Sequence, residues 1–411
     1  MKFFYTLGIY LLSLVLQVFS LFNQKIKLGV AGRKNTFLTL KNSISKADKT
    51  IWMHCASLGE YEQGLPVLQE LRKTHPEHKI VVSFFSPSGY ENKKNAKDFD
   101  LAVYLPLDTP KNANYFLDLA HPELILFVKY EVWPNLLLEA KKRTIKSLLI
   151  SATFRKNQSY FKWYGSLMRK ALFSFEHIFT QDENSKQLIE SIGYTSVSVS
   201  GDTRFDRVYK QLEMNNYIDF IEEFKGSKIT IVFGSSWPAD DSLFVPFINS
   251  YSEKKIKYIV APHNTKPNYI ESLENQINLK TVRFSKMEGE TLSDYDVFIL
   301  DTIGYLSRVY SYADIAYVGG GAGKTGLHNI LEPAVFGIPI LIGKNYEKFP
   351  EAKMLTELKG VISIPNSKEL HDKLQSLIES ERNRKKQGLI NKTFIKENKG
   401  AVIHIVNTIR T

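Results

Sequence analysis

The chain has 411 residues, 43% apolar and 24% charged, a length that exceeds one ordinary hydrophobic core and suits two domains. Its single cysteine, Cys55, excludes an intrachain disulfide framework and points to a reducing compartment. Lys and Arg total 54 against 43 Asp and Glu, a formal charge of +11, which favours anionic partners.

The positive excess is concentrated at the amino end, where Lys2, Lys25, Lys27, Arg33, Lys34, Lys41, Lys46 and Lys49 stand against Asp48 alone. These cations flank an uncharged stretch, FFYTLGIYLLSLVLQVFSLF, from Phe3 to Phe22. Roughly 20 apolar residues suffice to cross a bilayer as a helix. A basic segment beside an apolar one reads as contact with an anionic membrane surface ahead of a nucleic-acid patch, so no nucleic-acid partner is expected. Thr6, Tyr10, Ser13, Gln17 and Ser20 recur at alternating intervals of four and three residues and form one polar stripe on a helix. A uniformly lipid-facing span needs no such stripe, whereas a helix lying in the interface or docked on the protein body uses one. A spanning anchor and an interfacial or docked helix both stay open. A cleaved signal peptide fits less well, because the apolar region is long and no clear small-x-small site follows it. If the helix spans, the heavier positive flank behind it keeps the body cytoplasmic.

From residue 50 onward, short apolar runs alternate with amphipathic helical stretches. IWMHC (51–55), KIVVSFF (79–85), LAVYLPL (101–107), LILFVK (124–129), SLLISA (147–152), HIFTQ (177–181) and SVSVSG (196–201) form one series. A polar stretch near 205–227 interrupts it. KITIVFGS (228–235), KYIVAPH (257–263), DVFILD (296–301), IAYVGG (315–320), PILIG (339–343) and VISIP (361–365) form the second. Such alternation predicts α/β architecture: two doubly wound parallel sheets covered by helices, facing a cleft between the carboxyl ends of their strands. The expected division is 1–24, an amino-terminal membrane-associated helix; 25–205, a first Rossmann-like domain; and 206–411, a second with a helical tail. That tail, 366–411, reads as helical and as a segment that packs back across the hinge.

Candidate chemistry lies behind the strands. In HCASLGE (54–60), Glu60 follows a Ser-Leu-Gly turn, where it either caps a helix or removes a proton. Cys55, at the strand end, is read as a small buried apolar residue. In KYEVWPN (129–135), Glu131 is a second rim acid, with helix capping by the Pro134 segment as its plain alternative. GGGAGKTG (319–326) fails as a Walker A loop because Val318 stands where a glycine is needed. Its glycines suit a close backbone approach to a phosphate, with the following helix pointing its positive end at that group. Asn329 and Glu332 sit three apart on that helix, where an acid can accept from two vicinal ribose hydroxyls. His263 and Asp301 lie at strand carboxyl ends, and Thr302, Ile303 and Gly304 are expected to open a helix with their amides toward a phosphate. Asp294-Tyr295-Asp296 sits at a strand entry, the wrong end for a ligand. No His/Cys/Asp/Glu cluster has metal-ligand spacing, so neither a metal nor another cofactor is expected.

Taken in order, HCASLGE, EVWPN, SGDTRFD (200–206), APHN (261–264), DTIG (301–304) and GLHNILEPAVFGIPILIG (326–343), behind an amino-terminal apolar helix, resemble the 3-deoxy-D-manno-oct-2-ulosonic acid (Kdo) transferases of lipopolysaccharide biosynthesis. The resemblance implies a GT-B fold and a metal-independent, inverting transfer of Kdo from CMP-Kdo to a lipid A precursor at the inner (cytoplasmic) membrane, with the catalytic body on the cytoplasmic side. It implies Glu60 as general base and an acceptor-binding first domain with Glu131 and Lys129. It implies a CMP-sugar-binding second domain using Pro262, His263, Thr302, Ile303, Gly304, Gly320, Gly321, Asn329 and Glu332. Two positions depart from the pattern: Lys129 replaces a common acid, and His263-Asn264 replaces a common basic residue. Another membrane-associated GT-B enzyme using a UDP-sugar, or a nucleotide-sugar-binding membrane protein without turnover, are the alternative readings.

Overall fold

In the computed structural model, residues 1–251 and 255–410 are described. The chain divides into two compact units, the first comprising residues 1–206 with those from 399 onward, the second residues 207–398.

Unit 1 opens with two helices, α1 (Lys2–Phe19) and α2 (Gln24–Ser43). Asn23 ends the short turn between them, and its side chain accepts from the amides of Lys25 and Ile26, the usual satisfaction of free N–H groups at a helix start. Seven parallel strands follow: β1 (Thr50–Cys55), β2 (Lys79–Phe84), β3 (Leu101–Tyr104), β4 (Pro122–Val128), β5 (Lys146–Ala152), β6 (His177–Thr180) and β7 (Val197–Val199), in the order β3-β2-β1-β4-β5-β6-β7. Every residue of β1 is buried, as a strand covered by helices on both faces requires. Alternation splits its side chains: Trp52 joins one core with Val81, Phe116 and Phe127. Ile51, Met53 and Cys55 join the opposite one with Val67, Leu68 and Phe179.

Unit 2 repeats the plan. Its strands are β8 (Ile229–Ser236), β9 (Ile256–Pro262), β10 (Thr281–Arg283), β11 (Val297–Ile299), β12 (Ile315–Val318), β13 (Ile340–Gly343) and β14 (Val361–Ile364), in the order β10-β11-β9-β8-β12-β13-β14. The second apolar series predicts all of these except β10. That strand has three residues at the sheet edge with one buried side chain, Val282, too short to show a period.

The carboxyl-terminal segment corrects one expectation. The helix Ala401–Arg410 belongs to unit 1 rather than to the second domain. Its Val402, Ile405 and Val406 fill the core that holds Met53 and Leu68, and Asp206 accepts from the Gly400 amide at 2.9 Å. Only the tertiary fold shows which of two similar sheets an amphipathic tail covers. Ile405→Ala empties a fully buried site and is expected to cost about 2–5 kcal/mol, measured as a lowered denaturation midpoint of the whole chain. An unchanged midpoint would show that the tail adds no stability to unit 1.

Candidate active site

In each sheet the strand order reverses at one point, between β1 and β4 in unit 1 and between β8 and β12 in unit 2. Adjacent loops diverge there, and that crevice at the carboxyl edge is where doubly wound folds bind ligands. Both clusters of candidate residues fall on these two edges.

In unit 1, the helix α3 (Leu58–Thr74) starts right after β1, with Ser57 at its N-cap and Glu60 in its first turn. Ser-x-x-Glu is the sequence form of a capping box, yet neither side chain caps. Ser57 makes no cap bond; its hydroxyl donates instead to Glu60 Oε2 at 2.5 Å. Glu60 is 5% exposed, and its Oε1 carries no protein hydrogen bond among the described residues. The first-turn position favours the carboxylate through the helix dipole.

β4 lies beside β1 and delivers the second acid. Lys129, the first residue beyond it, has φ of +75°, a strained conformation for a residue with a Cβ, and its ammonium lies 5.3 Å from the Tyr130 ring centroid. Tyr130 is pushed up first by burial, then by the Glu60 and Glu131 carboxylates. Trp133 caps the helix Pro134–Lys142, and its indole N–H is shared between Glu131 Oε2 at 3.0 Å and His54 Nε2 at 3.3 Å. That bond makes Nε2 of His54 an acceptor, so Nδ1 carries the proton toward Ser83 Oγ at 2.8 Å. Cys55 is fully buried, and burial, then Glu60, pushes its thiol well up, which keeps it protonated and unreactive. The SGDTRFD segment ties in from the far side: Thr203 Oγ1 donates to the Gln63 carbonyl of α3 at 2.5 Å, and Arg204 Nε donates to Asp202 at 2.8 Å.

In unit 2 the rim is organised by residues the motif reading passed over. The helix Pro238–Ser250 follows β8 with Trp237 at its N-cap. Asp240, fully buried, accepts from the amides of Trp237 (3.0 Å), Gly320 (2.8 Å) and Ala322 (3.3 Å) and from the Tyr317 hydroxyl (2.8 Å). This corrects the phosphate-cradle reading of the glycine loop, because the Gly320 amide is turned inward onto a carboxylate. Gly320 (φ +90°) and Gly321 are required by close backbone packing, since a Cβ would lie 2.0 Å from the Gly326 carbonyl oxygen or 3.0 Å from the Gly343 amide nitrogen. The helix expected behind the loop is also corrected. Only Leu331–Ala334 is helical, so little dipole is available. Asn329 precedes that turn, capping the Leu331 amide at 3.1 Å and donating to Glu332 Oε1 at 3.2 Å. Thr302, Ile303 and Gly304 do not open a helix either. They form a turn before the one-turn helix Leu306–Val309, with Ile303 86% exposed, while Asp301 accepts from the Ser285 amide and hydroxyl.

Pro262 ends β9 opposite Ser236, and His263 projects from the same edge. Its ring stacks 4.6 Å from Trp237 and 4.5 Å from His328, and the Trp237 indole donates to His328 Nε2 at 3.0 Å. Trp237, Asp240 and His328 were legible only as a second Trp-Pro pair behind a strand, parallel to Trp133-Pro134. Among the described residues, no group of three or more His, Cys, Asp or Glu side chains is placed to hold a metal ion.

Burial, then the His263 charge, lowers His328 to about 4, against an ordinary value near 6.5. The unfolded chain therefore takes up this proton first, and the stability from neutral His328 is lost as pH falls from about 6.5 to 4. Asp241, raised by burial to about 6, acts in the opposite sense between about 4 and 6, so the comparison between variants isolates the histidine. His328→Gln is expected to raise the melting temperature at pH 5 relative to that at pH 7, compared with the parent. An identical pH dependence in both proteins would contradict the neutral assignment.

A family model for 3-deoxy-D-manno-octulosonic-acid transferase matches residues 30–207. A 3-deoxy-D-manno-octulosonic acid transferase of Aquifex aeolicus is 30% identical over 348 residues, covering 82% of this chain and 88% of that protein. The Haemophilus influenzae protein of the same name is 26% identical over 375 residues, covering 88% and 86%. Among solved structures, the UDP-GlcNAc 2-epimerase of Neisseria meningitidis bound to UDP-GlcNAc superposes with a TM-score of 0.61 at 16% identity, covering 88% of this chain and 99% of that one. Acinetobacter baumannii MurG gives 0.54 at 12% identity, with the same coverage; these likenesses place the fold in the GT-B class. With the ordered motifs and both rims accounted for, the chain belongs to the Kdo transferase family and is a glycosyltransferase of lipopolysaccharide biosynthesis.

Proposed function

We propose that this enzyme moves Kdo from CMP-Kdo to a lipid A precursor with inversion, and that Glu60 is the general base. The observation that carries the assignment is the Ser57–Glu60 pair. A Ser-x-x-Glu sequence at a helix start forgoes both cap bonds, and the serine hydroxyl holds one carboxylate oxygen. The other oxygen is left to take the proton from the attacking sugar hydroxyl. Glu131, fixed by the Trp133 indole, and Lys129, on its strained backbone, bind the acceptor; the ammonium suits an acceptor phosphate.

On unit 2, Asn329 and Glu332 bind the ribose of the donor, with Pro262, His263 and the turn Thr302–Gly304 along the same edge. The exposed face of the Trp237–His263–His328 stack suits a nucleobase. No step is assigned to the Gly320 amide. The proposed acceptor lipid and the cationic amino end support a location at the inner membrane, with the body on the cytoplasmic side.

Glu60→Gln is expected to lower turnover by roughly 10²–10⁴ while CMP binding, measured by calorimetry, stays within about twofold. A variant with near-parental turnover would overturn the base assignment. Glu332→Gln is expected to raise KM for the donor without a matching loss of kcat. Mass spectrometry of the lipid product should show addition of Kdo from CMP-Kdo and none from a panel of UDP-sugars; transfer from a UDP-sugar instead would replace the donor assignment.

A further inference from the structure

α1 is long and apolar enough to cross a membrane by length and composition, but its first turns are hydrogen-bonded to the body. Tyr5 donates to Asp108 Oδ2 at 2.9 Å. Asp108, nearly fully buried, also accepts from the amides of Asn135 and Leu136, both at 2.9 Å. Asn135 Nδ2 reaches Thr6 Oγ1 at 3.4 Å. Ile9 is buried and Tyr5, Thr6, Ser13, Leu16 and Ser20 are half-buried, one face of the helix. Ser13 and Gln17 border a groove shared with Val30, Arg33, Lys34 and Phe37 of α2. Arg33 is itself fixed, donating to the carbonyls of Phe85 at 2.6 Å and Leu105 at 3.1 Å.

The opposite face is bare and apolar. Phe3, Phe4, Leu7, Leu11, Leu14 and Val18 are exposed, and the patch continues through Leu21 and Phe22 at the turn, both more than three-quarters exposed. Lys25, Lys27, Lys34 and Lys41 of α2 are exposed as well, and neither helix carries an acid. Apolar residues bordered by cations, with no acid on either helix, complement an anionic bilayer surface.

We propose that α1 does not cross the bilayer but lies in the plane of its interface, bare face in the acyl boundary and the α2 lysines at anionic headgroups. This rests on the membrane reading of the proposed function and specifies how the helix sits. To span, α1 would have to break its bonds to Asp108 and Asn135, or draw the cationic α2 into hydrocarbon, where charged side chains are strongly disfavoured. In the plane it keeps every bond to the body. The seat also has a consequence for chemistry. Asn135 lies four residues beyond Glu131, so the lipid-bound helix holds the start of the helix that follows the acceptor-side acid.

The full chain is suited to a sidedness test, because its only thiol, Cys55, is buried. Lys2→Cys and Gln24→Cys place single accessible thiols at the two ends of the apolar segment. In sealed membrane vesicles from expressing cells, treated with a membrane-impermeant maleimide, both are expected to label alike: together from outside, or together only after permeabilisation. If one thiol labels at least about tenfold faster than the other until the vesicles are opened, α1 spans and the proposal is overturned. Binding of the purified chain to phosphatidylglycerol vesicles is expected to weaken about fivefold for each of Lys25, Lys27 and Lys34 changed to Gln. No binding to such vesicles would overturn the surface contact itself. Neither result depends on turnover, so a failure here is separable from a failure of the Glu60 assignment.

Discussion

All strands of a parallel sheet end on the same edge, and right-handed crossovers force neighbouring loops apart wherever the strand order reverses. That constraint governs both halves of this molecule. β1 and β4 meet at the reversal in unit 1, β8 and β12 in unit 2. Residues far apart in the chain therefore share an edge: Glu60 with Glu131, and Trp237 with His328. Neither pairing needs a long loop to bring it about. The sheet does so through hydrogen bonds between strands whose side chains are almost wholly buried.

The two edges share a local device. In each, a tryptophan followed by proline begins the helix behind a strand at the reversal, and its indole donates to a histidine, Trp133 to His54 and Trp237 to His328. Proline at the first helical position needs no N–H partner, so the helix can start directly behind the tryptophan. The surroundings then differ. In unit 1 the indole also meets a carboxylate, Glu131, beside a second acid held by a serine. In unit 2 the rings stack and the nearby carboxylate, Asp240, is consumed inward. The first edge thus presents charged and polar groups, and the second presents a flat aromatic surface next to a loop braced by one aspartate.

The glycine loop shows why a motif can be right in place and wrong in role. Its glycines do permit a close backbone approach, but the approach is to the protein's own chain at Gly326 and Gly343. The inward amides answer to Asp240, a residue some eighty positions earlier. Loop spacing encodes the tight turn; it carries no information about which carboxylate lies beneath.

Much was determined by the sequence alone: two α/β series with a break near 205–227, thirteen of the strands, the apolar helix with its cationic flank, and the acids Glu60 and Glu131 at strand mouths. These follow from local periodicity and from the turn chemistry behind each strand, which nearest neighbours in the chain dictate. The polar stripe on α1 only partly matches the face that meets the body: Thr6 and Ser13 are half-buried there, while Tyr10 is exposed, because docking selects a narrower face than polarity does. The edge strand β10, the placement of the tail helix on unit 1, the inward duty of Asp240, and the Ser57–Glu60 bond in place of two caps were decided only by the tertiary structure. Each depends on a partner distant in sequence, or on a choice between two local hydrogen bonds of similar strength, and packing settles that choice.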